Sequence, residues 1–128
     1  MHVAARVHVM NEEAEDSLSE YRNINTLGTL NLAEQAINSG VKRFIFISSI
    51  KVLGEQTEKG RPFTNSNLLN PQDAYSMSKA EAETGLLKLA KKSNMEVVII
   101  RPPLVYGKGV KGNFAKLLKL LALPIPLP

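Results

Sequence analysis

Tyr75 and Lys79 stand four residues apart in Tyr75-Ser76-Met77-Ser78-Lys79. They open a stretch with helical periodicity, where that spacing puts both side chains on one face. Upstream, Ser48-Ser49 closes a run of β-favouring residues. A hydroxyl pair, a phenol and an ammonium are the groups needed to take a proton from an alcohol or sugar hydroxyl while hydride leaves its carbon. A free phenol has a pKa of about 10, too high for a base near neutrality. A nearby cation stabilises the phenolate and lowers that value. Lys79, one turn on, could supply the charge, as could a bound oxidised nicotinamide. The same residue types also serve structure: a half-buried tyrosine beside a lysine reaching to solvent, and a serine satisfying backbone groups where a strand ends. The two signals together favour the chemical reading.

Other polar residues are more ambiguous. Asn25 falls inside a helical pattern although asparagine is a poor helix former, so it is expected to hold backbone or an ordered water. Lys51 and Arg101 could meet an anionic substrate or lie on the surface as solvated charges. His2 and His8 lack a carboxylate partner at ligand spacing, so no metal site is expected.

The elements that must position these groups can be read from periodicity. Residues 1–5 look like the end of a strand. Residues 11–16 are polar, as in a loop or a first helical turn. Apolar positions from Leu18 to Ile37 recur at helical spacing between Ser17 and Ser39, with Gly40 as a C-cap. Residues 41–47 form a charged lead-in to an unbroken apolar strand. Without polar alternation, that strand is expected to be covered on both faces, as in a parallel sheet. Residues 50–72 make a long loop of the kind that usually carries function. Helices are expected over Asp73–Ser93 and Lys111–Leu123, with a strand at 95–100 ended by Arg101-Pro102-Pro103. The order β–α–β–loop–α–β–loop–α implies an α/β fold with a parallel sheet. Ligands of such sheets bind beyond the carboxyl ends of the strands. Ala4-Ala5-Arg6, Ser48 to Lys51 and Arg101 to Gly107 all fall there.

The chain has 128 residues, 44% hydrophobic and 22% charged, in the range of a globular domain rather than a disordered one. It has no cysteine, which removes disulfides, thiolate metal sites and cysteine nucleophiles. No apolar run reaches the roughly 20 residues of a membrane span, and no secretory signal opens the sequence. A cytoplasmic protein is the expectation. The net charge of +4 is spread along the chain, without the interleaved aromatics of a nucleic-acid surface.

Five segments resemble the extended short-chain dehydrogenase/reductases, in particular the NAD-dependent sugar-nucleotide epimerase/dehydratase group. His2-Val3-Ala4-Ala5 is similar to the His-Leu-Ala-Ala that ends the family's fourth strand. Asn25-Thr26-Leu27-Gly28-Thr29 is similar to its Asn-x-x-Gly-Thr. Ser48 to Gly54 resembles Ser-Ser-x-x-Val-Tyr-Gly, with Leu53 replacing the aromatic. Tyr75 to Lys79 matches the catalytic Tyr-x-x-x-Lys, and Arg101 to Gly107 resembles Arg-Pro-x-x-Val-Tyr-Gly. The resemblance implies a Rossmann-like, doubly wound parallel sheet with flanking helices. It makes Ser49, Tyr75 and Lys79 the catalytic set. It places Ala4, Ala5, Asn25, Ser48, Tyr75, Lys79, Pro102, Pro103 and Leu104 at the cofactor, which is NAD, with NADP left open.

Departures from the family pattern sharpen these expectations. The Gly-x-x-Gly-x-x-Gly of the phosphate-binding turn does not occur in the 128 residues, and neither does most of a substrate domain. The chain is therefore expected to be one partial domain, 1–128, that is inactive by itself. Ile50-Lys51 stand where dehydratases of the family carry Asp-Glu and decarboxylating members a Glu. That leaves 4-epimerisation, or oxidation or reduction at a sugar carbon, on a nucleotide-sugar substrate, with surface-polysaccharide enzymes the most similar. The helices at 17–39 and 73–93 are those that pair in the family's homodimers. A dehydrogenase of apolar, steroid-type alcohols and a non-catalytic Rossmann-like scaffold are the competing readings.

Overall fold

The computed structural model describes residues 1–7, 17–105 and 107; His8, Tyr106, residues 11–16 and the helix expected at 111–123 lie outside them. Two five-residue strands, β1 (Arg43–Ile47) and β2 (Glu96–Ile100), pair in parallel from Arg43 opposite Glu96 to Ile47 opposite Ile100. The N-terminal segment joins the other edge of β1 through a single parallel bridge. The His2 amide donates to the Ile45 carbonyl at 2.8 Å, and the Ile47 amide to the His2 carbonyl at 3.2 Å. β1 is therefore the central strand, and three chain segments run side by side toward one edge.

Helix α1 (Ser17–Tyr21) continues through a π-helical turn, Arg22–Leu27, into α2 (Gly28–Asn38). The cap after α2 is the one expected at Gly40. With φ of +75°, it lets the Gly40 amide reach the Ile37 carbonyl and the Val41 amide reach that of Ala36. Helix α3 (Ala74–Lys91) crosses from β1 back to β2, making a β–α–β unit. Its start is fixed by Asp73, whose side chain accepts from the Ser76 amide at 2.6 Å while Ser76 Oγ accepts from the Asp73 amide at 3.1 Å.

α2 and α3 cover the same sheet face. Ala33, Phe44, Phe46, Ala82, Leu86 and Met95 form the core between them. The helices meet closely at Gly85, where a β-carbon would stand 2.6 Å from Leu30 Cδ2. On the other sheet face Ile45 and Ile47 of β1 are half-buried, while Val98 and Ile100 of β2 are 39% and 44% exposed. No helix among the described residues is long and apolar enough to cross a membrane.

Candidate active site

The carboxyl edge of the sheet gathers the segments singled out from the sequence. The Ser48 amide donates to the Ile100 carbonyl at 2.7 Å and the Ile50 amide to the Pro102 carbonyl at 3.1 Å, so the chains leaving β1 and β2 run together. Ala4 and Ala5 follow the His2 bridge on the other side of β1. Ala4, Pro103 and Leu104 are exposed, and Ala5 and Pro102 are half-buried. The Ser48 hydroxyl is buried without a hydrogen-bond partner among the described residues.

Ser49 caps a short 3₁₀ turn, Ile50–Leu53, with its hydroxyl accepting from the Lys51 amide at 3.3 Å. Tyr75 sits in the first turn of α3 with its ring edge-on to Tyr21, centroids 6.2 Å apart. Burial pushes the phenol above its ordinary pKa, and the Asp73 carboxylate and the Tyr21 phenol push the same way; the Lys51 ammonium and the Ser49 hydroxyl pull it back. The Ser49 hydroxyl thus lies near enough to act on the Tyr75 phenol at the start of α3.

Lys79 departs from the expectation. Its ammonium lies 4.0 Å from the centroid of the Phe46 ring and the residue is 2% exposed, so it packs down onto the sheet. Desolvation lowers its pKa to about 8, against an opposing pull from Glu83. Among the described residues, the cation that acts on the phenol is Lys51. An i,i+4 spacing fixes a shared helix face but not the direction of a four-carbon side chain.

Lys51 and Arg101 are also bound to the protein. Lys51 Nζ meets Asp73 Oδ2 at 2.8 Å. Arg101 grips Glu83 with both ends of its fork, Nε to Oε1 at 3.0 Å and Nη2 to Oε2 at 2.6 Å. Glu83 is 1% exposed, so Arg101 neutralises a buried carboxylate and ties the end of β2 to α3.

Asn25 is fully buried in the π-helical turn. Its Oδ1 accepts from the Arg6 amide at 2.8 Å, and its Nδ2 donates to the Arg6 carbonyl and to Ser78 Oγ, each at 3.0 Å. Thr26 Oγ1 donates to the Ser78 carbonyl at 2.8 Å, and Ser78 Oγ to that of Tyr75 at 2.7 Å. Consecutive residues of a regular helix point about 100° apart; the wider π turn lets Asn25 and Thr26 both face α3. The segment holding Ala4 and Ala5 is thereby tied to the backbone of Tyr75. His2 adds a second tie, its Nε2 lying 3.0 Å from Thr29 Oγ1. Burial, the Lys79 charge and the amino terminus all lower the His2 pKa.

Sequence reasoning gave no role to Asp73, Ser78 or Glu83. Asp73 three residues before Ser76 was a readable capping signal. Ser78 and Glu83 act on partners distant in sequence, for which local pattern has no signature.

Residues 1–123 match the family described as the NAD dependent epimerase/dehydratase family. The chain belongs to that family. It is 59% identical over all 128 residues to UDP-glucose 4-epimerase of Vibrio cholerae, and spans 39% of that protein's length. Among solved structures, UDP-glucuronic acid 4-epimerase from Bacillus cereus, in complex with NAD, matches 94% of the chain and 37% of its own at 25% identity, with a TM-score of 0.80. RMD from Pseudomonas aeruginosa, complexed with NADPH, matches 88% of the chain and 38% of its own at 32% identity, with a TM-score of 0.76. These epimerase/dehydratase folds share the parallel sheet and flanking helices described above, as the α/β reading of the sequence implied.

Proposed function

We propose that this chain is part of an NAD-dependent nucleotide-sugar 4-epimerase or dehydrogenase/reductase in which Tyr75 moves the proton of a sugar hydroxyl. The observation that carries the reading is the meeting of the Ser49 hydroxyl and the Tyr75 phenol at the carboxyl edge of the sheet. The 59% identity to the Vibrio cholerae epimerase over the whole chain supports the sugar-nucleotide class. A role in surface-polysaccharide synthesis belongs to the same proposal.

The residues fit a nicotinamide cofactor. The unpartnered, buried Ser48 hydroxyl supplies a hydrogen-bonding group that the protein leaves free among its described residues. Ala4, Ala5 and the Pro102–Leu104 backbone would line the cofactor; Lys79, held over Phe46 at 2% exposure, would have to turn from the sheet to reach its ribose. Asn25, having no exposure, would serve it by fixing the Ala4–Arg6 segment. When bound, the cofactor supplies a hydride acceptor and donor; NADP is an open alternative.

Within that arrangement Ser49 hydrogen bonds the reacting hydroxyl and Tyr75 takes its proton as the carbon is oxidised. Epimerisation needs the resulting 4-keto sugar to turn over before the proton returns from Tyr75. A homodimer through α1–α2 and α3 is part of the proposal. It is supported by exposed Ile24, Leu27, Met77 and Leu87 on these elements, at 49%, 58%, 39% and 48%.

The test uses the longer polypeptide that carries these residues, incubated with NAD and either a panel of UDP-sugars or a panel of steroid alcohols. Epimer formation or nicotinamide reduction on a UDP-sugar supports the proposal. Turnover confined to the apolar alcohols contradicts it.

A further inference from the structure

We propose that Lys51 and Asp73 form a latch that holds the Ser49 hydroxyl against the Tyr75 phenol and balances the charge beside it. This inference rests on the reading of Tyr75 as the proton-moving group. Lys51 and Asp73 are positioning residues in it, acting through Ser49 and Tyr75.

The geometry points to both halves of that role. Ser49 lies two residues before Lys51, in a turn whose cap is its own hydroxyl accepting from the Lys51 amide at 3.3 Å. Tyr75 lies two residues after Asp73, in the turn that Asp73 caps through Oδ1 at 2.6 Å. The other oxygen, Oδ2, receives Lys51 Nζ at 2.8 Å across a separation of 22 residues. One carboxylate thus fixes the helix start with one oxygen and the Ser49 turn with the other. The intervening loop, 54–72, forms no regular element; Val52 and Leu53 of the same turn pack on Ala80 of α3, and the Asn70 amide donates to the Val52 carbonyl at 2.9 Å, so the latch adds a polar tie at the rim of an apolar contact.

The side chains are 49% and 36% exposed. A pair so open to water stabilises a fold by at most about 1 kcal/mol, so its consequence is local geometry and local charge. Among the described residues, the charged and titratable groups facing the phenol are Lys51 from the turn, Asp73 from the helix cap and Tyr21 from α1, with the Ser49 hydroxyl beside them. Glu55 acts on Lys51. Lys51 favours the phenolate and Asp73 opposes it, so removing one member leaves the other uncompensated.

The experiment titrates the phenol by phenolate absorbance in the 128-residue chain, with Tyr75→Phe as the difference reference. Lys51→Met is expected to raise the Tyr75 midpoint and Asp73→Asn to lower it. Asparagine keeps the helix cap, and Lys51→Arg should restore the wild-type midpoint. Midpoints that do not move, or that move in the same direction, overturn the latch. In the longer enzyme, Lys51→Met should lower kcat with KM for the sugar nucleotide unchanged. A raised KM with unchanged kcat would overturn the positioning role and make Lys51 a substrate contact. The absorbance titration needs no turnover, so it judges the latch even if the proposed reaction fails.

Discussion

The ammonium of Lys79 rests 4.0 Å above the Phe46 ring, on the sheet side of α3. Helix periodicity placed this lysine beside the phenol; packing places it over the central strand. Its low exposure and lowered pKa make it a cost to the fold at neutral pH, offset in part by the ring and by Glu83.

Replacing Lys79 with methionine, of similar length and apolar, should therefore stabilise the chain. The folded-state pKa of about 8 lies below the ordinary 10.5, so the penalty is fully present below pH 8 and is relieved as pH rises toward 10.5. Urea unfolding at pH 7 should show a gain of up to roughly 3 kcal/mol for Lys79→Met, shrinking steadily between pH 8 and 10.5. A loss of stability at pH 7 would show that the Phe46 and Glu83 contacts outweigh desolvation.

Arg101 separates a structural from a substrate-binding role. If it neutralises Glu83, Arg101→Leu leaves a buried carboxylate alone, and stability should fall toward the low end of the roughly 3–5 kcal/mol typical of a broken buried pair. The double variant Arg101→Leu/Glu83→Leu should recover most of that loss. Equal stability of Arg101→Leu and wild type in denaturant melts would return Arg101 to the surface-charge reading.

Asn25 joins three segments through one amide. Asn25→Leu removes the hydrogen bonds its amide makes to the Arg6 amide and carbonyl, and losing such bonds costs about 0.5–1.5 kcal/mol each. The variant should unfold at clearly lower denaturant, and the Arg6 amide should exchange its hydrogen faster. Unchanged exchange at Arg6 would mean that the π-helical turn does not hold the N-terminal segment.

The parallel strands, the start of α3 and the Gly40 cap were legible because each has a local signature: an apolar run, a capping residue, a glycine at positive φ. The π-helical turn was not. Ile24 and Leu27 were counted on the buried stripe and are exposed, while Asn25 and Thr26 between them are buried, because the turn is wider than the 3.6-residue period assumed. The site residues Ser49 and Tyr75 could be placed at one edge from topology alone. The pairs Lys51 with Asp73 and Arg101 with Glu83 are set by side-chain reach between elements, and no spacing rule along the chain encodes that.

The 128-residue chain, taken alone, should show no saturable NAD binding at micromolar concentrations by calorimetry. It contains no Gly-x-x-Gly-x-x-Gly turn, and without one the pyrophosphate lacks the close backbone approach at a helix N-terminus that anchors it. Tight binding would mean that the Ser48 edge holds the cofactor with little help from phosphate contacts.

The most direct test of Tyr75 as the proton-moving group compares wild type with Tyr75→Phe in the longer enzyme. Turnover of a UDP-sugar that the wild type accepts is followed by NMR, and cofactor binding is measured beside it. Loss of the proton acceptor should slow turnover by about 10²–10⁴-fold while NAD affinity stays within a few-fold of wild type. Turnover by Tyr75→Phe within a few-fold of wild type would contradict the assignment.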